Sequence, residues 1–100
     1  MSDILKVMHD TAKGLHEAGA MDMATMREID SLCLPEIKRY TPTQIKRIRA
    51  KSKTSQSVFA LYLNTSPSTV QKWEAGQKHP NGPSLKLLNL VDRKGIDALA

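Results

Sequence analysis

Apolar side chains recur at helical spacing near the start of the chain. Leu5, Met8, Ala12 and Leu15 lie three or four residues apart and are separated mostly by polar residues. This spacing places them on one face of an amphipathic helix over roughly residues 3 to 18, and Gly19 follows where such a helix can end. The first predicted element is therefore a helix with one apolar stripe.

A second, shorter helix is predicted over roughly residues 23 to 33. Thr25 and Glu28 have the spacing of a capping box, in which two side chains satisfy free backbone amides at a helix start. Pro35 follows, and a proline restricts the residue before it to extended backbone. We therefore expect the second helix to end before Pro35 and an extended connector to follow it.

Capping residues mark three further helices between residues 41 and 76. Ser and Thr side chains accept hydrogen bonds from the free amides at a helix start, Pro is favoured at the first helical position, and Asn or Gly suits the left-handed backbone after the last turn. The predicted start signals are Thr41-Pro42 with Gln44, Ser55, and Ser66-Pro67, and the predicted closing residues are Asn64 and Gly76. A tight turn is expected between the second and third of these helices.

One more helix is predicted to begin at Asn81-Gly82-Pro83-Ser84 and to end at Gly95. The residues expected to face the core of these four helices are Ile45, Ile48, Val70, Trp73, Leu85, Leu88 and Val91, and those expected to point mostly outward are Lys46, Arg47, Arg49 and Lys51. The sequence therefore predicts an all-α chain. A helical arm with its connector occupies residues 1–40, and a domain of four to five helices occupies residues 41–100.

Charge is unevenly distributed along the chain. Residues 1–30 carry six acidic and three basic residues, a net charge of −3, whereas residues 31–100 carry four acidic and twelve basic residues, a net charge of +8. A basic excess in one part of a chain is expected where that part meets a polyanion, although a solvated basic surface has the same composition. Charge alone leaves both interpretations open.

Several classes of function are disfavoured by what the sequence lacks. Cys33 is the only cysteine, and His9, His16 and His79 lack the paired spacing of metal ligands, so we expect no disulfide, metal site or cofactor. Glu74 has no nucleophile, histidine or second carboxylate at a useful spacing and is expected to pair with a base on a neighbouring helix, so no enzymatic activity is predicted. Without a long apolar run or a secretion signal, we expect a cytoplasmic protein.

A spacing pattern after Ser55 has a steric explanation at each position. Ala60, Asn64, Val70 and Trp73 lie four, eight, fourteen and seventeen residues after Gln56. A small residue allows two helices to cross closely, Asn tolerates positive φ in a turn, and the last two positions anchor the next helix on the core. The pattern indicates two helices joined by a tight turn.

The residues around this pattern resemble the XRE family of phage-repressor-like helix-turn-helix proteins. The resemblance rests on Ser55-Gln56, Phe59-Ala60, Leu63, Thr65-Ser66, Thr69-Val70, Trp73-Glu74, Gly76 and Pro80. It covers about half of the chain. Asn64 departs from the family, which more often has Gly there, but Asn is the usual substitute. The resemblance implies a lambda-repressor-like fold for residues 41–100.

The same resemblance implies how such a domain binds DNA. In this family the third helix lies in the major groove, and the starts of the second and fourth helices meet phosphates. The residues then expected to face bases or the adjoining backbone are Pro67, Ser68, Thr69, Gln71 and Lys72, and those expected to hold phosphates are Gln56, Ser66, Lys78, Asn81 and Ser84. Trp73 is expected in the core rather than at the DNA.

The whole chain has a narrower resemblance. An acidic helical segment of about forty residues before an XRE domain, with Leu85-Lys86-Leu87-Leu88-Asn89-Leu90-Val91 near the end, is similar to the HigA-type antitoxins. This implies a RelE/HigB-like, mRNA-cleaving toxin as partner and repression of the operon that encodes both. An acidic arm suits a basic toxin, and the stripe expected to contact it is Leu5, Met8, Ala12 and Leu15.

Two features of the assembly follow as expectations. One domain of this size contacts few base pairs, so we expect a homodimer on double-stranded DNA with an inverted-repeat operator. The alternative to the antitoxin interpretation is a stand-alone transcriptional repressor, in which the N-terminal arm packs on the domain or forms the dimer.

Overall fold

The predicted helices are present, and they fall into two units. The computed structural model describes residues 3–100, and all the regular elements in that range are helices, which confirms the all-α prediction. The helices are α1 (Asp3–Glu17), α2 (Met23–Leu32), α3 (Pro42–Lys51), α4 (Gln56–Tyr62), α5 (Pro67–Glu74), α6 (Gly82–Lys94) and a 3-10 helix (Ile96–Leu99). The first unit is Met1–Glu36 and the second is Ile37–Ala100. No helix in residues 3–100 is long and apolar enough to cross a bilayer.

The first unit is a hairpin of α1 packed against α2. After α1, the amide of Gly19 donates to the carbonyl of His16 at 3.0 Å and the amide of Ala20 donates to the carbonyl of Leu15 at 2.8 Å. Gly19 has a φ of 76°, where a side chain would be strained. The predicted stop at Gly19 is confirmed, and it turns the chain towards α2.

The capping box predicted for α2 is wrong. The N-cap is Asp22, whose carboxylate accepts a hydrogen bond from the amide of Thr25 at 2.7 Å, so Thr25 lies inside the helix. The hydrogen bond from the Thr25 amide holds the pKa of Asp22 below its usual value of 3.8. Because the pKa is lowered in the folded state, this cap stabilises α2 above pH 3.8 and is lost as the pH falls through the lower folded value.

The starts of α3, α4 and α5 follow the prediction. The Thr41 hydroxyl accepts from the Gln44 amide at 3.2 Å, and the Gln44 side chain accepts from the Thr41 amide at 2.8 Å, which completes the predicted capping box. Ser55 and Ser66 cap α4 and α5 by accepting from the amide three residues later. Local sequence signals therefore determine where these three helices begin.

The same three helices end with one residue in the left-handed conformation. Asn64 (φ 53°) and Gly76 (φ 76°) close α4 and α5, as predicted. Lys53 (φ 57°) closes α3, although Lys has no special preference for this conformation. In each case the residue after it donates an amide hydrogen bond back to the last turn of the helix.

The core of the second unit lies where α3, α5 and α6 meet and α4 packs on α5. Its buried side chains are Ile45, Ile48, Phe59, Ala60, Leu63, Val70, Trp73, Leu88 and Val91. Leu85 is also buried. The predicted inward faces of these helices are thus confirmed, and the side chains opposite them remain available on the surface.

The connector before α3 is bound to α6. The side chain of Asn89, which is buried in the core region of α6, accepts from the Lys38 amide at 2.8 Å and donates to the Lys38 carbonyl at 2.9 Å. Two residues later, the Tyr40 hydroxyl donates to the Asp92 carboxylate at 2.8 Å, and burial together with this hydrogen bond raises the pKa of Tyr40. Residues 37–40 accordingly belong to the second unit.

Candidate functional site

Two helices joined by a tight turn form the centre of the candidate site. Ala60 on α4 is fully buried in the core, and α4 packs on α5. In the turn, Asn64 takes the left-handed conformation and the Thr65 amide donates to the Ala60 carbonyl at 2.9 Å. The turn therefore holds α5 at a set angle to α4, with Val70 and Trp73 fixing its inner face.

The outer face of α5 carries most of the residues expected at the bases. Pro67, Ser68 and Gln71 are exposed, and Lys72 is half-buried at the edge of the same face. Thr69 is half-buried beside the start of the helix, where its hydroxyl is 2.8 Å from that of Ser66. Three of the five residues therefore form a solvent-exposed row on α5, and the half-buried Lys72 and Thr69 border it.

The residues expected at phosphates are in different surroundings. Ser66 uses its hydroxyl oxygen to cap α5, accepting from the Thr69 amide at 3.1 Å. Asn81 is exposed at the start of α6 and its side chain makes no capping hydrogen bond. Lys78 is exposed, whereas Gln56 and Ser84 are half-buried at the first turns of α4 and α6.

A charged cluster connects the two helices of the motif to α3. Arg49 donates from Nε and Nη2 to the Glu74 carboxylate at 2.7 and 2.9 Å, and from Nη1 to the Thr54 carbonyl at 3.0 Å. The Glu74 side chain is only 3% exposed and that of Arg49 is 20% exposed. The hydrogen bond to Glu74 raises the pKa of Arg49, which favours the charged form of its guanidinium.

This cluster contradicts the prediction for Arg49 and confirms the prediction for Glu74. Glu74 was expected to pair with a base on a neighbouring helix, and it does. Arg49 was expected to point mostly outward, but it folds back onto Glu74 because that buried carboxylate requires a counter-charge. Through Thr54, the same guanidinium holds the loop that leads into α4. Arg49 thus positions α4 and α5 without lying on their outer face.

The unit that contains the candidate site carries excess positive charge. Residues 37–100 contain twelve basic and three acidic residues, and one of those acids, Glu74, is neutralised by Arg49. The exposed basic residues of this unit are Lys38, Arg39, Lys46, Arg47, Lys51, Lys53, Lys78, Lys86, Arg93 and Lys94. Such a surface attracts polyanions over distances of about 8 to 10 Å at physiological salt.

The first unit contains a separate apolar groove between α1 and α2. Met8 and Leu15 line it together with Val7, Met21 and Ile29, and its volume is about 280 Å³. Ala12 forms its floor and is buried by the packing of the two helices. Three members of the predicted stripe therefore meet in one groove, and the sequence pattern missed Val7 and Met21.

Leu5, the fourth member of the stripe, lies away from this groove. It lines a second cavity with Leu32, Cys33 and Leu34, and its carbonyl accepts from the Cys33 thiol at 3.6 Å. The predicted stripe is therefore divided between two cavities of the hairpin. Elsewhere in the hairpin, His9 pairs with Asp30 across the two helices.

The sequence of the second unit matches that of known proteins. The family model described as helix-turn-helix matches residues 45–98, more than half of the chain. Over 53 residues the chain is 43% identical to Antitoxin HigA-2 of Vibrio cholerae serotype O1 (strain ATCC 39315 / El Tor Inaba N16961), a match that covers 53% of this chain and 51% of that protein. The chain spans about half the length of the curated relative it matches. These matches confirm the resemblance inferred from the sequence, and the chain belongs to the XRE-type helix-turn-helix family.

Proposed function

We propose that the chain is a sequence-specific, DNA-binding transcriptional repressor and the antitoxin of a type II toxin-antitoxin pair. The observation that carries the DNA-binding role is the row of exposed side chains on the outer face of α5. The core holds this helix in place, and the unit to which it belongs is basic. The similarity to a protein named as an antitoxin supports the second role. In this proposal the protein acts by binding, in the cytoplasm, and catalyses no reaction.

The DNA-binding role assigns distinct tasks to the two faces of α5. Val70 and Trp73 hold the helix on the core, while Ser68, Gln71 and Lys72 face the major groove. Ser and Gln side chains can hydrogen-bond base edges, and Lys can contact guanine or a nearby phosphate. Phosphate contacts by Gln56, Lys78, Asn81 and Ser84, and the cap residue Ser66, would set the position of α5 over the bases.

The first prediction concerns two residues of this outer row. Ser68→Ala and Lys72→Ala are each expected to weaken binding to the operator by about 1 to 3 kcal/mol, because each removes a base-edge or adjoining backbone contact. Competition binding with specific and scrambled duplexes measures the loss. Lys94→Ala, at the far end of α6, removes an equal charge and is the control. Unchanged operator affinity in both α5 variants would contradict the assignment.

Operator symmetry is part of the same proposal. A homodimer would place two α5 helices in successive major grooves, so the operator is expected to be an inverted repeat in the promoter of its own operon. Binding by several lysines and arginines releases counterions, which makes the affinity fall steeply with salt. A footprint without two-fold symmetry would argue against the dimer.

The antitoxin role is proposed for the first unit, where large apolar side chains are poorly covered. Ala12 and Met26 are its buried apolar residues among those the structure describes. The exposed large apolar side chains there are Ile4, Val7, Met8, Leu15, Met23, Leu32 and Leu34. A hairpin of this size buries too little surface to be stable by itself, so contact with another surface would stabilise it.

The net negative charge of the first unit favours a basic protein as the partner that covers these apolar side chains. Met1–Glu36 contains seven acidic and three basic residues, so a second copy of the hairpin would bring like charges together. A basic, RNA-binding toxin of RelE/HigB type would pair with these acids at the rim while its apolar side chains enter the groove of Met8, Ala12 and Leu15. Leu5 would contact the same partner from the second cavity.

The second prediction tests this groove in the full-length chain. Met8→Asp or Leu15→Asp is expected to abolish rescue of growth from the co-expressed neighbouring toxin, because a carboxylate would be buried against apolar groups. Lys13→Gln, on the exposed outer side of α1, makes the same change in net charge and should still rescue. Operator binding is measured alongside, and it should be unaffected in all three variants.

The stand-alone repressor remains the competing outcome of that experiment. If Met8→Asp dissociates a homodimer and weakens operator binding while no neighbouring gene product is toxic, the groove joins two copies of this chain. The exposed apolar side chains of the hairpin are the observation that favours this alternative, since a second copy would also cover them.

A further inference from the structure

Asn89 makes an unusual set of hydrogen bonds for a buried side chain. It is 2% exposed, and its amide accepts from the Lys38 amide at 2.8 Å and donates to the carbonyls of Lys38 and Leu85 at 2.9 Å each. All three partners are backbone groups, and two belong to one residue of the connector. Burying an amide costs free energy that a leucine would not. The side chain therefore serves to fix the position of Lys38.

These hydrogen bonds hold the Lys38 backbone beside the middle of α6. Asn89 Nδ2 lies 2.9 Å from both the Lys38 and Leu85 carbonyls, so the Lys38 backbone lies beside the part of α6 between Leu85 and Asn89. From Asn81 to Leu85 the helix rises by about 6 Å, a distance that a lysine side chain can cover. In the proposal below, the exposed Lys38 side chain extends along α6 towards a phosphate at Asn81 and Ser84.

A second anchor sets the direction of the connector. The Tyr40 ring packs against the core and its hydroxyl donates to Asp92, one turn after Asn89 on α6. Between Tyr40 and Lys38 the chain therefore runs along α6 towards its start. Lys38 and Arg39 are both exposed, and neither forms an ion pair with a carboxylate within residues 3–100.

We propose that Lys38 and Arg39 bind the phosphate backbone of the operator next to the start of α6, with Asn89 as the positioning residue. The proposal rests on the DNA-binding role proposed above and extends its interface beyond the helix-turn-helix pair. Cations on an anchored segment lose less conformational freedom on binding than cations on a free arm. Each phosphate contact also contributes separately to the salt dependence of the affinity.

The test compares salt dependence in matched full-length variants. Binding to a duplex covering the promoter upstream of the gene is measured over a range of salt concentrations. Lys38→Gln with Arg39→Gln is expected to weaken binding and to reduce the slope of log affinity against log salt by about 2. Arg93→Gln with Lys94→Gln loses the same charge at the other end of α6 and should retain the parent slope.

The Asn89→Leu variant distinguishes the effect of the position of Lys38 and Arg39 from the effect of their charge. It retains every basic residue, so a smaller slope in this variant, with the circular dichroism spectrum of the parent, would support positioning by Asn89. A parent slope in the Lys38/Arg39 double variant, while Lys72→Ala still weakens binding, would overturn the inference and leave the DNA-binding role intact. An equal loss in the Arg93/Lys94 variant would overturn it as a general charge effect. If the parent does not bind the duplex at any salt concentration, both proposals fail.

Discussion

Replacing Arg49 with alanine is expected to remove about 3 to 5 kcal/mol from the unfolding free energy of the second unit. The reason is the carboxylate of Glu74, which is 3% exposed and would be left buried without its counter-charge. The Thr54 carbonyl would lose its hydrogen bond from the guanidinium as well. Urea denaturation followed by circular dichroism measures the loss.

Two further variants identify the cause of that loss. Arg49→Lys keeps the charge but not the paired hydrogen bonds, so it should cost less than Arg49→Ala. Combining Arg49→Met with Glu74→Leu removes both charges and should recover much of the stability. If the double variant is as unstable as Arg49→Ala, packing of the arginine side chain rather than the stranded carboxylate explains the effect.

Trp73→Ala is expected to have an effect of similar size, about 3 to 5 kcal/mol, and to unfold the second unit in part at physiological temperature. Trp73 is 3% exposed in the core formed with Phe59 and Val70, so truncation leaves a cavity beneath α5. Thermal melting monitored by circular dichroism gives the measurement. Trp73→Phe, which fills most of the cavity, is the control and should lose less.

A particular combination of results would contradict the assignment of Trp73 to the core. The variant would melt at the temperature of the parent and yet lose operator affinity, which would mean that the indole contacts DNA. Lys72→Ala offers the comparison, because its side chain lies at the edge of the outer face and its loss should affect binding more than stability.

Local chemistry made the helix boundaries of the second unit predictable. Thr41, Ser55 and Ser66 act through hydrogen bonds to amides three residues away, so their signal is contained in a few consecutive residues. The start of α2 at Met23 agrees with the prediction, but its capping residue was assigned wrongly from the spacing of Thr25 and Glu28. Asp22 is the cap in the structure, where its ionised carboxylate accepts the Thr25 amide.

Contacts between distant residues were not predictable in the same way. Arg49 and Glu74 are 25 positions apart, and periodicity alone placed the arginine outward. Lys53 takes the left-handed conformation next to Thr54, whose carbonyl is held by Arg49, so its backbone depends on tertiary structure rather than on its own preference. In the first unit, periodicity identified Met8 and Leu15, but Met21 joins them only through the hairpin turn.

The hydrogen bonds from Asn89 to the connector have a consequence for protein engineering and for evolution. They involve only the backbone N–H and C=O of Lys38, so every amino acid except proline can be held at that position. Different N-terminal modules can therefore be joined to the same helix-turn-helix domain without redesigning the junction. A chimaera carrying an unrelated module before residue 37 should retain the folded domain, and the module could diversify while α6 stays unchanged.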